Sequence, residues 1–145
     1  MAEAQPGVRI LGLDYGSRRI GVAISDPLGL TAQPLPAIPR KGDRKDIAGI
    51  GRLAAEQGVT SVVVGLPLLL TGDEGPQAAR ARAFGEKLAA ELSLPVTMWD
   101  ERLTTAQSER HLIESGVRRE RRKEVRDSLS AMILLQSVLD YRNRK

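Results

Sequence analysis

The run "SVVVG", residues 61 to 65, places β-branched side chains at successive positions with no polar alternation. A strand of that kind has no face to give to water, so both of its faces must be covered. The flanking segments supply the cover. Asp46 to Gln57 carries Ile47, Ile50, Leu53 and Ala54 three and four residues apart, as on one helix face, and Gly58 follows where such a helix ends. Glu74 to Leu92 is alanine-rich, with Ala81, Phe84, Leu88 and Leu92 on one helical face. Alternating units of this kind need parallel pairing.

The first third of the chain reads differently. Val8 to Asp14 is a buried strand, Gly16, Ser17 and Arg18 supply a turn, and Ile20 to Ser25 is a second strand. Leu30 to Ile38 is a third extended segment whose Pro34 and Pro36 confine it to an edge. The three are close enough in sequence for an antiparallel meander. Downstream, "VTMW" (96 to 99) is a further short strand, and Thr104 with Gln107 has capping-box spacing for a helix that stops at Gly116. A last helix spans Arg122 to Tyr141 and buries Val125, Leu129, Met132, Ile133, Gln136 and Leu139. The expected fold class is α/β: a mixed five-stranded sheet, three antiparallel strands then parallel βα units, with helices on both faces and no internal repeat.

Length and composition set the bounds. The 145 residues suit one domain over 1–145, with flexible ends at 1–7 and 142–145, and 41% hydrophobic residues suffice for a core. Cysteine is absent, which excludes a disulfide scaffold and a thiolate metal site and fits a reducing compartment. The N-terminus has no signal-peptide pattern, and the apolar stretch Val62 to Leu70 is broken by Gly65 and Pro67. A cytoplasmic protein without a membrane segment is expected. The net charge of +4 is local: Arg110 to Arg126 holds seven basic and three acidic residues, leaving 15 of each sign elsewhere. The dense part comprises Arg118, Arg119, Arg121, Arg122 and Lys123, a patch that attracts phosphate backbones. Charge alone fits a solvated helix face equally well.

Carboxylates stand at element ends, where open α/β sheets place their sites. Asp14 closes the first strand, Asp100 and Glu101 close the fifth, and Asp127 lies near the start of the last helix. If strands one and five are neighbours, their last side chains share one rim. Clustered like charges repel and raise one another's pKa unless a cation fills the space. Oxygen ligands without histidine or cysteine favour Mg²⁺ or Mn²⁺. A pair of such ions can activate water and stabilise the leaving oxygen in phosphodiester hydrolysis. The residues alone leave open whether Asp100 or Glu101 belongs to the site.

The segments "GLDYGSRRIGVAISDPLG", "VVVGLPLLLTGDEG", "DERLTTAQSE" and "DSLSAMILLQSVLDY" occur in that order and together resemble the YqgF/RuvX family, small bacterial ribonuclease H-like proteins described as pre-16S rRNA nucleases or Holliday junction resolvases. The likeness runs from about Val8 to Tyr141. It implies a ribonuclease H-like fold, a metal-dependent nuclease, and an acidic site of Asp14, Glu101 and Asp127, which selects Glu101 over Asp100. It also implies a structured RNA or branched DNA substrate, and a homodimer is compatible, although no apolar patch in the sequence demands one. Two positions depart from the family pattern: Arg126 stands where an apolar residue is usual, and Leu69 where an asparagine is frequent.

Ser17, Arg18 and Arg19, after the first acid, are candidate contacts to the substrate backbone, as is Arg102, which could instead pair with a carboxylate. Gly65 and the "TGDEG" turn could present N–H groups to a phosphate. His111, the single histidine, reads as solvated, and four aromatic residues leave few platforms for base stacking. Two other functions compete. An actin-like ATPase would need a second lobe with its own acid–glycine turn, and the only other D-x-G, Asp73-Glu74-Gly75, follows a turn and not a strand. A non-catalytic nucleic-acid-binding module would use the basic segment and leave the acids idle.

Overall fold

The computed structural model describes residues 8–104, 106–114 and 122–144. Five strands, β1 (Ile10–Tyr15), β2 (Arg19–Ser25), β3 (Ala32–Pro39), β4 (Ser61–Leu66) and β5 (Val96–Asp100), form one sheet in the order β3-β2-β1-β4-β5. The first three pair antiparallel, and β4 pairs parallel to both β1 and β5. Helices α1 (Asp43–Gln57) and α2 (Pro76–Leu92) cover one face, and α3 (Ala106–Glu114) and α4 (Arg122–Arg142) cover the other. Among the described residues no helix is long and apolar enough to cross a membrane.

Alternation along the strands sorts two cores. Leu11, Leu13, Ile20, Val22, Val62 and Val64 pack with Ile50 of α1 and with Phe84 and Leu88 of α2. Ile10, Ala23 and Val63 face Leu112 of α3 and Met132, Leu135 and Leu139 of α4. The expected double-sided burial of the "SVVVG" strand follows from this arrangement. Gly58 ends α1 in the left-handed conformation (φ 68°), as its position suggested. The proline-bearing third strand lies at the sheet edge, and its register against β2 shifts between Ile20 and Val22.

Some boundaries and neighbours differ from expectation. Strands β1 and β5 are not neighbours, because β4 runs between them. Helix α2 starts at Pro76, whose missing N–H suits a first helical position, so Glu74 stays outside it. Thr104 does not cap a helix. Its hydroxyl donates to the Glu101 carbonyl (3.0 Å) and closes a 3-10 turn over Glu101–Leu103, so α3 begins only at Ala106. The expected helix stop at Gly116 and the flexible segment 1–7 lie outside the described residues. At the other end Arg142 still belongs to α4, Asn143 donates to the Gly29 carbonyl (2.9 Å), and Arg144 lies over the Tyr141 ring.

A candidate acidic site on the α4 face of the sheet

Asp14 sits one residue before the end of β1, paired with Gly21 of β2. On its other side the β1–β4 register places it level with Gly65, and Gly65 is level with Trp99 of β5. Two glycines therefore flank Asp14 in one row across the sheet, and each gives way to another element. A Cβ at Gly65 would fall 2.5 Å from Oε2 of Glu101. The Glu101 side chain thus lies over bare β4 backbone, in the direction of Asp14. This closes the gap that β4 opens between the strands carrying the two acids. A Cβ at Gly21 would meet the Asp127 carbonyl at 3.4 Å and the Asp14 Cβ at 3.5 Å, so α4 approaches Asp14 over that glycine.

The turn behind Asp14 is fixed from the opposite face. Arg40 donates to the Gly16 carbonyl (2.9 Å), Asp43 (2.7 Å) and the buried Asp46 (2.7 Å). The same guanidinium lies over the Tyr15 ring, whose hydroxyl donates to Asp43 (3.2 Å). Gly16 is required here, since a Cβ would come within 2.6 Å of the Arg19 carbonyl. The two residues that follow Asp14 are thus both anchored.

The electrostatics separate the acids. Burial raises the Asp14 carboxyl above the usual range. Glu101 is pushed up to about 7, by burial first and then by the charges of Asp14 and Asp100. Asp100 is lowered, because Arg102 donates to both of its oxygens (2.8 and 3.1 Å). Asp100 is thus already neutralised by its neighbour, and Glu101 is the acid that turns inward. Among the described residues neither Asp14 nor Glu101 takes part in an ion pair.

Asp127 reaches the row through a break in its helix. Ser128 leaves helical geometry (φ −119°, ψ 18°) inside α4. Its hydroxyl accepts from the Val22 N–H (3.0 Å) and donates to the Leu35 carbonyl (2.8 Å), bridging the paired residues of β2 and β3 beside the register shift. The kink seats Asp127 against Gly21, and its carboxylate faces Arg19 at 3.6 Å. Among the described residues no set of three or more acidic or histidine side chains is placed to hold a metal ion. The acids converge as a pair, Asp14 and Glu101, with Asp127 beside it.

Of the basic candidates, Ser17, Arg18 and Arg19 lie exposed on the turn next to Asp14. Arg102 is engaged by Asp100, so the carboxylate-pairing alternative describes it. Arg118, Arg119 and Arg121 lie outside the described residues; Arg122 and Lys123 begin α4, one turn ahead of Asp127. His111 is not simply solvated: its Nδ1 lies 3.2 Å from Asp140 and 3.1 Å from the Gln136 amide. Sequence reasoning missed Gly21 and Ser128, and it gave Gly65 a phosphate-binding role where the structure lays the Glu101 side chain over it. The signals were present as glycines opposite and beside an acid and a serine directly after one, but their meaning depends on strand order.

The family model described as "RuvX: Holliday junction resolvase" matches residues 8–141. The chain belongs to the RuvX family. A RuvX relative from Pelotomaculum thermopropionicum, named "Putative pre-16S rRNA nuclease", is 49% identical over 94% of this chain and 90% of its own length. Among solved structures, RuvC of T. thermophilus in complex with a Holliday junction substrate superposes with a TM-score of 0.63 at 16% identity, covering 93% of this chain and 95% of that one. The Fowlpox virus resolvase with Holliday junction DNA gives 0.57 at 12% identity, over 94% and 100% of the two chains. These structures share the ribonuclease H-like fold with the RuvX chain, and family membership classes it as a nuclease.

Proposed function

We propose that this chain hydrolyses phosphodiester bonds in structured nucleic acid with a divalent metal held at Asp14 and Glu101. The carrying observation is the Glu101 carboxylate lying over Gly65 toward Asp14, two partly buried acids left without a cationic partner among the described residues. Such a pair is costly unless a cation joins it, and an all-oxygen donor set suits Mg²⁺ or Mn²⁺. Asp14 and Glu101 would hold the metal, with Asp127 as the third acid and two ions as the full complement. When bound, the metal supplies Lewis acidity, a more acidic water and a clamp on the attacking and leaving oxygens.

The chain's own residues do the rest. Arg40 and Tyr15 fix the turn that aims Asp14. Gly65 keeps the path of Glu101 clear. Arg19, half exposed beside Asp127, is placed to contact a phosphate next to the cleaved one, and Ser17 and Arg18 extend that rim. Arg118, Arg119, Arg121, Arg122 and Lys123 supply the sequence-independent attraction for the backbone. Relatives of nearly half-identical sequence are named for pre-16S rRNA, which makes the 5′ leader of that RNA the substrate of choice and a four-way DNA junction the comparison. The test is cleavage of both substrates with Mg²⁺ or Mn²⁺ by wild type, Asp14→Asn and Glu101→Gln. Loss of cleavage by at least a hundredfold in both variants is expected. Activity that survives either substitution, or excess chelator, would overturn the proposal. Binding without any cleavage would instead favour the non-catalytic module.

A further inference from the structure

A cleft of about 790 Å³ opens on the same face of the sheet, between the end of β5, α3 and the last turn of α4. Trp99 and Leu103, two residues to either side of Glu101, form one wall, and Tyr141 of α4 forms another. The Trp99 and Tyr141 rings meet edge to face with centroids 5.7 Å apart, so two of the four aromatic residues come together here. Two polar atoms of lining residues, Trp99 Nε1 and Ser137 Oγ, are buried and have no hydrogen-bond partner among the described residues. Ser137 is only 5% exposed. The Asp140 carboxylate in the same wall is already engaged by Ser108 (2.6 Å), His111 and Gln136. The Arg144 guanidinium, also lining the cleft, lies over the Tyr141 ring at 4.9 Å.

We propose that this cleft binds the base of an unstacked nucleotide beside the cleaved bond. Aromatic walls suit a planar ring, Arg144 beside Tyr141 suits the attached phosphate, and the partnerless indole N–H and Ser137 hydroxyl suit the base's polar edge once their side chains turn toward the cleft. Trp99 stands two strands from Asp14 in one row, about 10 Å at ordinary strand spacing, which places the base near the acid pair and not on it. The inference rests on the nuclease reading for the identity of the strand, but its test does not need cleavage.

Trp99 is the sole tryptophan, so its fluorescence reports the cleft directly. The full chain is titrated without metal, using a short single-stranded oligonucleotide and a fully abasic strand of equal length. Saturable quenching by the first and at least tenfold weaker binding of the second are expected. Tyr141→Ala, at an exposed position, should weaken the oligonucleotide about tenfold, and Tyr141→Phe should restore it. Asp14→Asn should quench as wild type does, so a failed nuclease reading would leave this result standing. Equal binding of the abasic strand, absent quenching, or an unchanged affinity in Tyr141→Ala would overturn the proposal.

Discussion

At the scale of single residues, Glu101 and Gly65 act as one device. A carboxyl pushed from 4.5 to about 7 in the fold keeps its proton where the unfolded chain has lost it. The folded state then binds more protons between those pH values, so stability falls as pH rises through that window and stays lower above it. The raised Asp14 acts in the same direction. Glu101→Gln removes this liability, and its Tm should exceed that of wild type by a few degrees at pH 8 and match it near pH 4, by calorimetry in the absence of metal. Gly65→Ala works the other way. The added methyl meets the flexible end of Glu101 and not the backbone, so the fold tolerates it while the carboxylate is displaced. Circular dichroism and melting should change little, with cleavage down at least tenfold; wild-type activity in this variant would show that Glu101 need not lie over β4.

At the scale of elements, the break in α4 ties the third acid to the sheet. Ser128 joins the buried Val22 N–H and the partly buried Leu35 carbonyl of adjacent strands with one hydroxyl. Ser128→Ala leaves both short of a partner, and a loss of about 2 kcal/mol in denaturant unfolding is expected. Element types were legible in sequence because burial leaves a period: the helix face of α1, the unalternating β4 and the proline-marked edge strand lie where their patterns put them. Helix α4, by contrast, is buried more widely than its expected face, with Ser128, Ala131, Leu134, Leu135 and Val138 inside and Leu129 and Ile133 only partly so. Adjacency leaves no such trace. Nothing local to "LDYG" or "VTMWDE" tells that β4 runs between them, and only with that order known does Gly65 become the residue that lets two acids meet. Thr104 misled for a related reason. Its spacing to Gln107 fits a cap, yet the residues after β5 turn first as a 3-10 unit around Asp100 and Arg102.

At the scale of the molecule, the acids and the bases have separate tasks. The acid pair lies at the sheet, Asp14 within β1 and Glu101 directly after β5, and the excess positive charge lies in the segment leading into α4. Affinity for nucleic acid should therefore fall steeply with salt. Arg19→Ala should lower the slope of log K against log salt by about one, because one phosphate contact is lost, while Asp14→Asn should not lower it. Fluorescence anisotropy across a salt series reads both. The proposed metal site at Asp14 and Glu101 is tested by titrating Mn²⁺ into the protein by calorimetry at pH 8, for wild type, Asp14→Asn, Glu101→Gln and Asp100→Asn. Saturable binding is expected in wild type and in Asp100→Asn, with loss of at least tenfold in affinity for the other two. Wild-type Mn²⁺ affinity in Glu101→Gln, or a loss confined to Asp100→Asn, would contradict it.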